Sequence, residues 1–181
     1  KVVVENVPIK RYTLIDFPDG MFVDEISGTI TWTPSQRQYD QHKITFMVSD
    51  GFTRDEQSYE IYVNHPPTIV STSPRKARVD KLYKYQIVVE DKNRNKDISY
   101  ELVKAPKGMQ INRLGKMTWR PTSTQINSNL MAVKVSDGYS NDIQESKIFV
   151  NMPPTVITEP KPVALSNFEY RYRFVTEDLN G

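Results

Sequence analysis

The feature that most constrains this chain is an internal repeat. GTITWTP at 28–34 returns as GKMTWRP at 115–121, and VSDGF at 48–52 returns as VSDGY at 135–139. Trp32 and Trp119, Asp50 and Asp137, and Pro66 and Pro153 are each 87 positions apart. YQIVVED ending at Asp91 comes back at the same interval as YRFVTED ending at Asp178. A unit of this length is a whole small domain, so the chain reads as an array of domains.

The phase of the repeat sets the limits. Repeat one covers 1–64, repeat two covers 66–151, and 153–181 opens a third. KVVVEN at 1–6 matches IVVED at 87–91, so repeat one is expected to lack its first strand. The third is expected to stop after its second strand, as in an excerpt from a longer array. A sheet without its first strand exposes an unpaired edge.

Composition narrows the class. With 24 basic and 22 acidic residues interspersed, the net charge is +2 and gives no field that would draw nucleic acid. No cysteine is present, so disulfides and cysteine-ligated zinc are excluded and each repeat must be held by its apolar core. No apolar run approaches the ~20 residues that span a bilayer. There is no signal peptide and no Asn-x-Ser/Thr sequon, although an excerpt would have lost the former.

Apolar positions alternate with period two, which places every second side chain on one buried face of a strand. In repeat two the inward sets are Tyr85, Ile87, Val89; Ile98, Tyr100, Leu102; Met117, Trp119; Met131, Val133, Val135; and Ile148, Val150. Repeat one gives Ile30, Trp32; Ile44, Phe46, Val48; and Ile61, Val63. Short strands separated by Pro-Lys-Gly, Leu-Gly, Ser-Asp-Gly and Pro-Pro predict an all-β chain of tandem antiparallel β-sandwiches, about seven strands each. Trp32 and Trp119 are expected to be core anchors. Gly28 and Gly115 stand where a hairpin needs positive φ, and Asp50-Gly51 and Asp137-Gly138 fit the turn between the last two strands. Asn64-His65-Pro66-Pro67 and Asn151-Met152-Pro153-Pro154 read as stiff linkers.

In order, and twice, the chain carries Pro-x-Gly-Met, then Gly-x-x-x-Trp-x-Pro, then Val-Ser-Asp-Gly, within 18–51 and again within 106–138. Nearly the whole chain resembles the immunoglobulin-like, dystroglycan-type cadherin-like repeats of large bacterial surface and secreted proteins. The resemblance implies tandem sandwiches acting as spacers, adhesion modules or accessory domains, and fold analogy does not choose among them.

Enzymatic constellations are nearly absent. Only two histidines occur, His42 and His65, and neither recurs in repeat two, so a histidine triad or zinc site has no support. One polar cluster stands out, from Glu90 through Asp97, and it looks like the acidic loop after the second strand of cadherin-like repeats. On that resemblance, calcium would be held by Asp91, Asn93 and Asp137, with Glu90 and the Asn64 carbonyl. Lys92, Arg94 and Lys96 oppose a cation, and the other reading is a solvated loop closed by Asp and Asn turn bonds. Repeat one has Glu5-Asn6-Val7-Pro8 in its place, whereas the third keeps Glu177-Asp178-Leu179-Asn180-Gly181.

A second repeated feature is aromatic. Phe52 and Tyr139 follow the Asp-Gly turns, and Tyr39 and Tyr62 are further candidates for exposure. A turn aromatic ordinarily folds back onto its own sandwich; the other reading is an interface or sugar-stacking residue. Together these features predict a non-enzymatic stalk or scaffold segment of a large extracytoplasmic protein, bacterial by resemblance, whose partners are its neighbouring repeats and other proteins. The alternatives are an accessory carbohydrate-binding module of a secreted polysaccharide-acting enzyme and a docking subunit of a secretion or motility machine.

Overall fold

The alternation becomes strand over most of its length, with Trp32, Ile87 and Ile98 falling just outside the strands. The computed structural model describes residues 10–94 and 97–180, and its chain divides into two units: Lys1–Pro66 with Asp91–Asn95, and Pro67–Glu90 with Lys96–Gly181. The stretches KVVVEN and Glu5 to Pro8, read above as a partial strand and a lost loop, lie outside the described residues.

In the first unit, β1 (Arg11–Asp16), β4 (Asp40–Ser49) and β5 (Arg54–Val63) form an antiparallel sheet in the order β1-β4-β5, while β2 (Phe22–Val23) and β3 (Ile30–Thr31) make a hairpin. The β4–β5 ladder runs from Asp40 opposite Val63 to Ser49 opposite Arg54. Ile44 is fully buried, but Ile30, Trp32, Phe46, Val48, Ile61 and Val63 are only half-buried. Among the described residues no strand pairs with the outer edge of β3. An apolar cleft of about 560 Å³ opens there, lined by Met21, Ile30, Trp32, Tyr59 and Ile61 among others.

The second unit shows what fills that place. Its strands are β6 (Thr68–Ile69), β7 (Lys76–Arg78), β8 (Tyr83–Gln86), β9 (Val89–Glu90), β10 (Ser99–Lys104), β11 (Gln110–Ile111), β12 (Lys116–Trp119), β13 (Asn127–Ser136) and β14 (Asn141–Asn151). One sheet has the order β10-β13-β14-β7, and the facing one β11-β12-β8. Between them lies the core: Met117, Trp119, Tyr83 and Tyr85 from one side, and Met131, Val133, Val135, Ile148 and Val150 from the other. Trp119 is 1% exposed and meets the ring of Tyr83 edge to face. The inward sets read from repeat two all join this cluster or pack against it. Trp119 is thus a core anchor, whereas Trp32, facing a cleft where Trp119 faces β8, stays half-buried.

One pairing departs from the antiparallel expectation. β7 runs parallel to β14, with Lys76, Ala77 and Arg78 beside Phe149, Val150 and Asn151. The entering chain follows the last strand in the same direction, a placement that alternation alone does not reveal because both orientations bury the same face. Beyond Asn151, β15 (Thr155–Val156) pairs with β16 (Thr176–Glu177) in the register that β6 and β9 have 87 positions earlier. The Tyr172 hydroxyl donates to the Thr158 carbonyl at 2.7 Å, as Tyr85 does to Ser71 at 3.1 Å. The third segment therefore reproduces the opening of the second repeat.

Gly28 and Gly115 take φ of +72° and +71°, the left-handed conformation the hairpin demands.

Candidate functional site

Two kinds of turn carry the residues singled out by sequence. The first joins β4 to β5 and β13 to β14. Asp50 Oδ1 accepts the amides of Phe52 (2.9 Å) and Thr53 (2.7 Å), and Asp137 Oδ1 accepts those of Tyr139 (2.9 Å) and Ser140 (2.7 Å). Gly51 and Gly138 take positive φ between them. The amides of Thr53 and then Phe52 hold the Asp50 carboxyl below the usual carboxylate range. Asp137 is buried and belongs to the second unit.

The side chains at the crest of these turns do not fold back. Phe52 is 92% exposed and Tyr139 is 74% exposed. Sequence alone favoured the opposite, but the two amides taken up by each aspartate fix the turn so that the next residue projects away from the sheet. Tyr39 and Tyr62 are exposed to a lesser degree.

The second kind is the acidic loop, described at Glu90 to Arg94 and at Asp97. Glu90 ends β9, opposite Thr68, with its side chain exposed. Asp91 Oδ1 accepts the Asn93 amide at 2.8 Å, and the Arg94 amide donates to the Asp91 carbonyl at 3.1 Å, closing a tight turn. By its contacts this turn belongs to the first unit. The Asn93 carboxamide bonds three groups there. Its Nδ2 donates to the Val63 carbonyl (3.0 Å) and to Asp40 Oδ1 (2.9 Å), while its Oδ1 accepts the His65 amide (2.5 Å).

Asn180 repeats the arrangement in the second unit. Its amide donates to Asp178 Oδ1 at 2.9 Å, its Nδ2 to the Val150 carbonyl (3.0 Å) and Asn127 Oδ1 (3.2 Å), and its Oδ1 accepts the Met152 amide (2.6 Å). Every partner is the residue 87 positions on. Asp40 and Asn127 share a left-handed conformation, φ +76° and +69°, which short Asx side chains tolerate.

Sequence reading assigned Asp91 and Asn93 to calcium and did not see this set. The signal was present: Asp178 and Asn180 match Asp91 and Asn93, and Asn127 matches Asp40 in a position where either side chain supplies an oxygen. Asp91 Oδ1, Asn93 Oδ1 and Asp137 Oδ1 all accept protein amides. Asp91 Oδ2 is buried without a hydrogen-bond partner, and among the described residues no three acidic or histidine side chains gather as a metal-holding group. A calcium ion, which takes six to eight oxygens, finds one side-chain oxygen of Asp91 and Asn93 without a protein hydrogen bond. That donor set does not fit the ion.

Comparison with known proteins follows the repeat. The family model described as Putative Ig domain matches residues 6–64 and again 66–151. Among curated proteins the chain is similar to tenascin-N of Mus musculus, 24% identical over 167 residues, covering 83% of this chain and 10% of that protein. The chain thus spans a tenth of that relative. Among solved structures, an I-band fragment of titin, domains I67–I69, matches with a TM-score of 0.54 at 14% identity, covering 85% of this chain and 59% of the fragment. Extracellular domains 3–5 of Drosophila OTK match with a TM-score of 0.54 at 9% identity, over 78% of this chain and 51% of theirs. These structural likenesses are of fold.

Proposed function

The chain belongs to the Putative Ig domain family, and on that premise we propose that it is a non-catalytic segment of a modular extracytoplasmic protein, its tandem sandwiches serving as stalk or scaffold and presenting a protein-contact surface. Each unit presents its own patch, at Phe52 in the first and at Tyr139 in the second. Their exposure at the same crest of the same turn is the observation that carries the reading, because large aromatics held out in water by a rigid turn are the residues that anchor protein interfaces. Among the described residues no helix is long and apolar enough to cross a membrane.

The test compares the chain with the double variant Phe52→Ser, Tyr139→Ser. Both residues are exposed, so the fold should survive and melting should be unchanged. The wild type, immobilised, is expected to retain surface or secreted proteins of its source that the variant does not. Equal retention by both would remove the aromatic surface from the proposal. Binding on a glycan array that the variant loses would assign the same residues to carbohydrate and favour the accessory-module reading.

A further inference from the structure

We propose that the Asp-x-Asn turn is a metal-free latch that completes the end of the preceding repeat's last two strands, so that each repeat is stabilised by the residues that follow it in the array. The proposal deepens the scaffold reading and rests on it: the residues that close each unit come from further along the same chain. Its geometry stands in the two asparagines alone.

Val63 and Asp40 form the last rung of the β4–β5 ladder, and Val150 and Asn127 the last rung of the β13–β14 ladder. Beside this last rung stand the strand carbonyl, the Asx oxygen of the partner strand and, two residues further along, the amide of His65 or Met152. Each of these precedes a Pro-Pro pair that offers no N–H at all. A carbonyl, an Asx oxygen and one amide therefore converge, two acceptors and one donor.

A carboxamide answers this set, with two N–H donors on one atom and an acceptor on the other. Aspartate would bring only acceptors against Val63 O and Asp40 Oδ1, and lysine only donors. Glutamine places the amide one methylene too far. The turn fixes where the carboxamide points, since the aspartate two residues earlier holds the asparagine's own amide in both copies. The bonds recur at 3.0 and 3.0 Å to the carbonyl and at 2.5 and 2.6 Å from the amide. Only the Asx partner changes, from aspartate to asparagine, and it keeps the oxygen that the latch uses.

The consequence is directional. Residues of the loop after β9 secure the exit of β5, and those after β16 secure the exit of β14. The bonds need no cation: the turn that calcium would occupy is already engaged by the chain.

Amide hydrogen exchange on the full chain, read residue by residue, tests this. Asn93→Ala is expected to speed exchange at the His65 amide by about tenfold, the loss of one protecting bond, and to leave Met152 unchanged. Asn180→Ala is expected to do the reverse. Exchange at Met117, in the second-unit core, serves as the reference that the variant remains folded. Addition of calcium or a chelator should change none of these rates. His65 protection that survives Asn93→Ala would overturn the latch. Protection that appears only with calcium would return the turn to a metal site. Neither result would touch the scaffold reading, which the aromatic variants test separately.

Discussion

The ring of Tyr100 covers Gly115 so closely that a Cβ on the glycine would stand 2.7 Å from the ring's Cε1. Gly28 and Tyr12 repeat the relationship at 3.0 Å. The hairpin glycine thus serves twice, by accepting positive φ and by letting an aromatic ring close over the turn.

Gly115→Ala should therefore lose stability on both counts: about 1–2 kcal/mol for forcing a Cβ into left-handed backbone, and a further ~1–3 kcal/mol for overpacking against Tyr100. Gly138→Ala is the control, since φ there is +93° but a Cβ would meet nothing within 4 Å. It should show the backbone cost alone. Chemical denaturation of both variants reads the difference, and equal losses would mean that Tyr100 moves aside without penalty.

The two tryptophans should respond unequally. Trp119→Ala removes a side chain that is 1% exposed between two sheets and should cost about 3–5 kcal/mol. Trp32 lines the open cleft and is half-buried, so Trp32→Ala should cost clearly less. Residue-resolved hydrogen exchange in each unit makes the comparison, because the tryptophan left in either variant lies in the other unit.

Burial pushes the Tyr83 hydroxyl up to about 12, the largest cause being its removal from water among Trp119 and the β8 neighbours. In the unfolded chain the same group titrates near ~10. The folded state therefore keeps a proton that the unfolded state has lost, and Tyr83's contribution to stability is complete below about pH 10 and falls as pH rises toward about 12. Spectrophotometric titration should show a tyrosine ionising late, and stability should decline across that interval. Tyr83→Phe should flatten the decline while losing the bond to the Pro74 carbonyl.

Much of this was legible because a repeat prints the same physics twice. Inward sets follow from period two, and the turns follow from Asp-Gly and Leu-Gly. What escaped was whatever depends on pairing across distance. The parallel contact of β7 with β14 buries the same residues as an antiparallel one would. The half-exposure of Trp32 depends on which strands stand opposite it, not on its own neighbours. Asn93 reads as a metal ligand or a turn residue from its loop alone; only the approach of Val63, His65 and Asp40 shows that its carboxamide has protein partners on both sides. Phe52 and Tyr139 were misjudged because the orientation of a turn's crest depends on hydrogen bonds that composition does not state.

Asp137 separates the remaining readings of the acidic residues. Its buried side chain takes the amides of Tyr139 and Ser140 on Oδ1 at 2.9 and 2.7 Å, so Asp137→Ala removes both bonds and should cost about 1–3 kcal/mol. That loss belongs to the turn and should be the same in calcium and in chelator. Melting curves of the wild type should likewise coincide under the two conditions, because a ligand that binds the folded state raises the melting temperature by mass action and none is expected here. A calcium-dependent rise in the wild type that disappears in Asp137→Ala would reinstate the cation, with the unpartnered Asp91 Oδ2 as its first ligand.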